Sequence, residues 1–228
     1  MKHLIIGDLH GKDCWNEIQF NNYDKVIFLG DYVDHWTFPD EVIYKNLKNI
    51  INLKKKLSEK VELLLGNHDV QYLYYPMYLC SGFRSGMQRS LTFLFNEERG
   101  LFKTAYQRGN FLVSHAGVTN TWYKDFLALP LVQQIADEGD TVAGLVNKIE
   151  QTAKRRILHQ AGSSRGGDGP GGITWADKKE LSTDMLAGYH QVVGHTVVHE
   201  VEVVQQAASS ATFIDVLDSF TYFHELEI

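Results

Sequence analysis

Gly7-Asp8-Leu9-His10-Gly11, Gly30-Asp31-Tyr32-Val33-Asp34, Gly66-Asn67-His68-Asp69, His115-Ala116-Gly117 and Gly194-His195-Thr196 gather carboxylates, imidazoles and a carboxamide into five short polar motifs. These are oxygen and nitrogen donors with no thiolate among them, a set that suits a borderline-hard divalent cation. Asp8 and His10 are separated by one residue, so in a turning segment both can converge on a single cation. Taken singly, an Asp of this kind is more often a turn residue or helix cap, and a His in a turn more often structural. Five such motifs in one chain point instead to metal-assisted hydrolysis at a two-metal site, where paired cations lower the pKa of a shared water and clamp a displacement.

Such donors need elements that deliver them to one place. Four motifs directly follow apolar runs, His3-Leu4-Ile5-Ile6, Val26-Ile27-Phe28-Leu29, Val61-Glu62-Leu63-Leu64-Leu65 and Phe111-Leu112-Val113-Ser114. The fifth follows only Val192-Val193. Short apolar runs that end in Gly-Asp or Gly-Asn read as buried strands, and ligands of open α/β sheets bind at the carboxyl ends of strands. Thr37-Phe38-Pro39-Asp40 opens a helix whose apolar positions are Val42, Ile43, Leu47, Ile50, Ile51 and Leu57, with Lys54-Lys55-Lys56 at its solvated end. An aromatic-rich insertion spans 70–109, and 119–161 reads helical with a stripe of Leu145, Val146, Ile149, Ala153 and Ile157. The glycine-rich stretch 162–172 reads as a mobile or tightly turned loop. Alternating runs at 201–204, 212–215 and 221–224 read as an antiparallel run of strands.

The order and wording of the motifs resemble the calcineurin-like metallophosphoesterase superfamily and, within it, the bacterial-type phosphoprotein phosphatases. The resemblance covers residues 1–228 as one domain and implies a four-layer α/β/β/α sandwich, two mixed sheets flanked by helices, with 70–109 and 119–172 as insertions within it. It implies a first metal held by Asp8, His10 and Asp31. The second would be held by the bridging Asp31 with Asn67, His115 and His195. The cations would be drawn from Mn, Fe, Zn, Co or Ni, with Mn²⁺ serving best in vitro. His68 resembles the general acid and Asp34 the carboxylate that orients it. The family motif continues Asp-Arg-Gly, its arginine gripping phosphate, whereas this chain has Asp34-His35-Trp36; Asp69 also replaces a Glu. His35 then supplies a hydrogen bond without a guanidinium's fork, and Arg165, in the glycine-rich loop, is the candidate replacement. His199 reads as a surface strand residue, and His3, His159, His190 and His224 as structural or exposed.

Bulk properties limit the alternatives. At 228 residues, with 44% hydrophobic and 22% charged residues, the chain suits one large α/β domain. A net charge of −6 argues against broad nucleic-acid binding. The first motif begins at residue 7, so no leader is expected, and no apolar run reaches the ~18 residues that span a bilayer. Cys14 and Cys80 form no CxxC pair and read as reduced thiols. The expectation is a cytoplasmic, metal-dependent phosphatase acting on phosphorylated protein or a small phosphate ester. The alternatives are a diadenosine-polyphosphate or other nucleotide phosphoanhydride hydrolase, and a metal-binding scaffold without turnover. Retention of both His68 and Asp34 argues against the scaffold.

Overall fold

Each apolar run that precedes a motif is a strand in the computed structural model, which describes residues 1–228. The chain divides into two compact units: residues 1–103 with 216–228, and residues 104–215. Each carries a five-stranded mixed sheet and flanking helices, the α/β class expected.

In the first unit the sheet order is β10 (Phe223–Glu227), β1 (Lys2–Ile6), β2 (Lys25–Phe28), β3 (Val61–Leu64), β4 (Phe102–Lys103). β1 to β4 run parallel, and only β10 is antiparallel to its neighbour. Parallel strands in adjacent positions bring their carboxyl ends to one edge, which places the loops after β1, β2 and β3 side by side. Helix α1 (Asp40–Lys56) makes the crossover between β2 and β3. It buries Ile43, Leu47, Ile50 and Ile51 and turns Val42, assigned above to the apolar stripe, outward at 46% exposure. Buried Asn46 ties the first loop down: its Oδ1 accepts from Trp15 Nε1 and its Nδ2 donates to the Lys12 carbonyl. Helices α2 (Asn67–Leu73) and α3 (Gln88–Glu97) occupy the segment after β3. They bury Val70, Tyr72, Leu91 and Phe95 in the core of this unit.

In the second unit the order is β5 (Ala105–Arg108), β6 (Phe111–Ser114), β7 (His190–Val193), β9 (Ser209–Phe213), β8 (Glu202–Gln206). β6, β7 and β9 are parallel, with antiparallel strands at both edges. Helices α4 (Asn120–Ala128), α5 (Pro130–Ile135), α6 (Val142–Glu150) and α7 (Lys178–Thr183) belong to it. Trp122, Phe126, Leu145, Val146 and Ile149 form the centre of its core.

Three expectations are corrected. The late strands are not one antiparallel run: β8 and β9 form a hairpin, but β10 pairs with β1 in the other sheet, a partner that alternation alone cannot specify. The stripe continued past Ile149 is broken. Both the backbone N–H and the hydroxyl of Thr152 donate to the Ile149 carbonyl, closing α6 at Glu150 and leaving Ala153 and Ile157 outside it. His199 is an exposed bend residue before β8 rather than a strand residue. No helix is long and apolar enough to cross a membrane.

Candidate active site

Asp8 lies two residues past β1, Asp31 three past β2, and Asn67 three past β3. Their loops are cross-tied: His10 N donates to the Asp31 carbonyl at 2.7 Å and Gly11 N to the Tyr32 carbonyl at 2.9 Å. To make these turns, His10 (φ 45°), Asp31 (φ 50°) and Asp34 (φ 68°) adopt the left-handed region, which costs non-glycine residues energy and concentrates at functional sites. Gly66 permits the close approach of two loops, since a Cβ there would lie 2.0 Å from Asp31 Oδ1.

Carboxylate oxygens of Asp8 and Asp31 come within 4.8 Å of each other, both side chains being buried. Two carboxylates so close in a low-dielectric site are unfavourable unless a cation joins them. His10 completes this group. Its Nδ1–H donates to the Val33 carbonyl at 2.8 Å, which leaves Nε2, 3.8 Å from Asp31 Oδ2, as the donor atom. Burial holds the His10 pKa below the usual value against the pull of Asp31, favouring the neutral ligand form. Asn67 directs Nδ2 to Cys80 Sγ at 3.6 Å, so its carbonyl oxygen is the ligand atom it can offer.

His68 follows at once on α2, its N–H donating to Asp31 Oδ1 at 2.9 Å. Its Nδ1–H donates to Asp34 Oδ2 at 3.0 Å. Burial works to lower the His68 pKa, but Asp31 and Asp34 outweigh it and raise the value to about 9. Cations beside Asp31 would cancel that carboxylate's share; the hydrogen bond to Asp34 would remain. Asp34 is itself fixed by Gln71 Nε2 on Oδ2 and the Tyr72 hydroxyl on Oδ1. Asp69 accepts from the backbone N–H groups of Asp31, Tyr32 and Gly66 at 2.8–3.0 Å. Motif reading did not assign Gln71, Tyr72 and Asp69 these roles. Only Asp69 carried a signal, an acid at the third position of a helix that begins after a glycine. His35 turns back on its own loop: Nδ1 accepts from Thr37 N and Phe38 N, both at 3.1 Å, and the ring stacks on Phe38.

In the second unit, β6 and β7 are adjacent and parallel with Val113 opposite Val192, so the residues past their ends meet. His115 Nε2 faces His195 Nδ1 at 3.2 Å. That separation matches the edge between two nitrogens on one cation at metal–nitrogen distances of about 2.1 Å. Each unit therefore carries a donor set that fits a divalent cation. His195 is again left-handed, at φ 65°. Gly117, at φ 101°, completes the turn after His115, where a Cβ would strike Leu181 Cδ2 at 2.5 Å. The glycine-rich loop is tightly turned: Gly167 N donates to the Gly162 carbonyl, and Glu180 accepts from Gly171 N at 2.9 Å. Arg165 projects from it, Nε pairing with Asp177 Oδ2 at 2.8 Å and Nη2 donating to Thr196 Oγ1 at 2.9 Å. Its guanidinium is thus anchored on the residue after His195.

A family model described as calcineurin-like phosphoesterase matches residues 1–199. None of the curated proteins matches the chain. Among solved structures, a cold-active protein tyrosine phosphatase solved at 1.1 Å aligns with a TM-score of 0.58 at 16% identity, covering 99% of this chain and 73% of that one. The cold-active protein-tyrosine phosphatase of a psychrophile, Shewanella sp., aligns with a TM-score of 0.56 at 17% identity, over 99% and 75% of the two chains. At these identities the likeness is one of fold.

Proposed function

Because the chain belongs to the calcineurin-like phosphoesterase family, and is thereby a phosphoric-ester hydrolase, we propose that it cleaves phosphomonoesters, with phosphorylated protein as the substrate class. The observation that carries the reading of turnover is the His68–Asp34 pair at 3.0 Å, held on both carboxylate oxygens of Asp34. A scaffold without turnover needs no such dyad. In this proposal Asp8, His10 and Asp31 hold one cation, and Asp31, Asn67, His115 and His195 the other, Mn²⁺ supporting turnover best. The family match runs through residues of both units, which supports reading 1–228 as one metallophosphoesterase domain.

When bound, the cations supply Lewis acidity toward phosphoryl oxygens and lower the pKa of water. The other tasks fall to side chains. Asp34 fixes His68 by Nδ1, so that Nε2 carries the proton given to the departing oxygen. Arg165, restrained by Asp177 and Thr196, offers its remaining N–H donors to a phosphate oxygen.

Chelation is expected to abolish hydrolysis and Mn²⁺ to restore it, with turnover compared on p-nitrophenyl phosphate, a phosphopeptide and diadenosine tetraphosphate. Preference for the last would replace this reading by phosphoanhydride hydrolysis; metal binding with no turnover on any would leave a scaffold. His68→Asn should retain metal and lose ~10²–10⁴-fold in rate on alkyl phosphates, less on p-nitrophenyl phosphate, whose leaving group departs without a proton. Equal losses on both would remove His68 from the acid role.

A further inference from the structure

Outside the groups assigned above, one buried polar network has no part in the chemistry. Glu150, His159 and Thr174 are 2%, 1% and 0% exposed, and lie in the interior of the second unit. His159 Nε2 meets Glu150 Oε2 at 2.8 Å and Nδ1 meets Thr174 Oγ1 at 3.1 Å. The Thr174 hydroxyl also reaches the Leu158 carbonyl at 3.3 Å. A carboxylate and an imidazole in a core are costly to desolvate, and apolar residues of the same volume would often stabilise at least as well. What such a network adds is a fixed position for whatever it grips.

It grips the middle of the segment Ile173-Thr174-Trp175, and both neighbours of Thr174 abut a metal-ligand candidate. The Ile173 carbonyl accepts from Ala116 N at 2.9 Å, directly after His115. The Trp175 ring stands edge-on to the His195 ring, 5.5 Å between centroids at 75°. Upstream of Thr174 the chain has no slack: a Cβ on Gly172 would lie 2.5 Å from the Leu158 carbonyl oxygen. A shift of Thr174 would therefore move the backbone behind one imidazole and the ring beside the other.

We propose that Glu150, His159 and Thr174 are positioning residues that set the imidazoles of His115 and His195 as a ligand pair. The inference rests on the metal reading of that pair. Groups hydrogen-bonded directly to metal ligands typically contribute 10–100-fold in affinity, and this network acts one residue further out. The network is therefore expected to show itself in metal binding, apart from any effect on turnover.

The test is titration of the metal-stripped full-length protein with Co²⁺, followed by calorimetry and by visible absorption, with His195→Ala marking the site that depends on this pair. Thr174→Val removes the hydroxyl at nearly constant volume. It should weaken that site about 10-fold, the low end of the range for direct partners of metal ligands, and change its Co²⁺ spectrum, leaving the other site as in the unsubstituted protein. Thr174→Ser, which restores the hydroxyl, should restore both. Wild-type affinity and spectrum in a folded Thr174→Val protein would overturn the proposal. If Thr174→Val does not fold, Glu150→Gln decides by the same two readouts. Failure of the unsubstituted protein to bind Co²⁺ at all would instead overturn the metal reading itself.

Discussion

Backbone strain falls on several of the residues proposed to do chemistry. His10, Asp31, Asp34 and His195 are four of the six non-glycine residues with positive φ, each conformation costing of order 1–3 kcal/mol. The surrounding hydrogen bonds over-determine them, as Asp69 does for the Asp31 turn. Asp31→Asn keeps that shape and removes one charge from the carboxylate pair. We expect it to lower metal content, measured by elemental analysis, and to cut activity more than substitution of any other ligand. Full activity with full metal content would count against a bridging role. Arg165→Ala should raise KM and weaken inhibition by inorganic phosphate while metal content stays constant. If neither kinetic parameter moves, Arg165 is an anchor for Thr196 and no more.

Among the elements, β3 serves different purposes at its two ends. Past its carboxyl end, Gly66 lets the turn into α2 press on Asp31. Gly66→Ala would force a Cβ to within 2.0 Å of Asp31 Oδ1 and 2.5 Å of its backbone nitrogen. A cost of about 1–3 kcal/mol is expected, with loss of metal, read by chemical denaturation and metal analysis. Near its start, buried Glu62 receives Lys25 at 3.2 Å, Lys54 at 3.3 Å and Lys103 at 3.1 Å. Burial pushes the Glu62 pKa upward, but Lys103 and then Lys54 and Lys25 outweigh it and leave it below the ordinary 4.5. A depressed folded pKa means stability that is present above the unfolded value and lost as pH falls through the folded one. Glu62→Gln should therefore be less stable than wild type at pH 7, and the gap should close as the pH falls below the ordinary 4.5 and through the lowered folded value. A gap independent of pH would show that the lysines add nothing through charge.

On the scale of the whole molecule, divalent cations that bind only the native state add stability by mass action. At a free concentration of about 100 Kd, Mn²⁺ should contribute about 2.7 kcal/mol, a rise in Tm of roughly 5–10 °C for a chain of this size. Differential scanning calorimetry with and without chelator measures this directly, and Asp31→Asn should abolish most of the shift. An unchanged Tm in wild-type protein would argue against tight binding to the native state.

Much of the candidate site was legible because its signals are local. Asp8, His10, Asp31, Asn67, His115 and His195 each stand within a few residues of an apolar run, and a buried strand that ends in a polar turn leaves that trace in one dimension. The alternation of strands and helix up to residue 70 was readable for the same reason. Long-range partnership leaves no such trace. Nothing near Asp34 announces that Gln71 and Tyr72 will hold it, because helix α2 brings them there only when folded. The alternating run at 221–224 gave no hint that β10 would pair with β1, over two hundred residues away in the chain. His159 read alone was one histidine among several; only the fold placed it between Glu150 and Thr174. Sequence determined which side chains stand at the strand ends, since periodicity and turn chemistry are near-neighbour effects. Tertiary structure decided how those side chains are aimed, since aim depends on hydrogen bonds between segments that meet only in the folded chain.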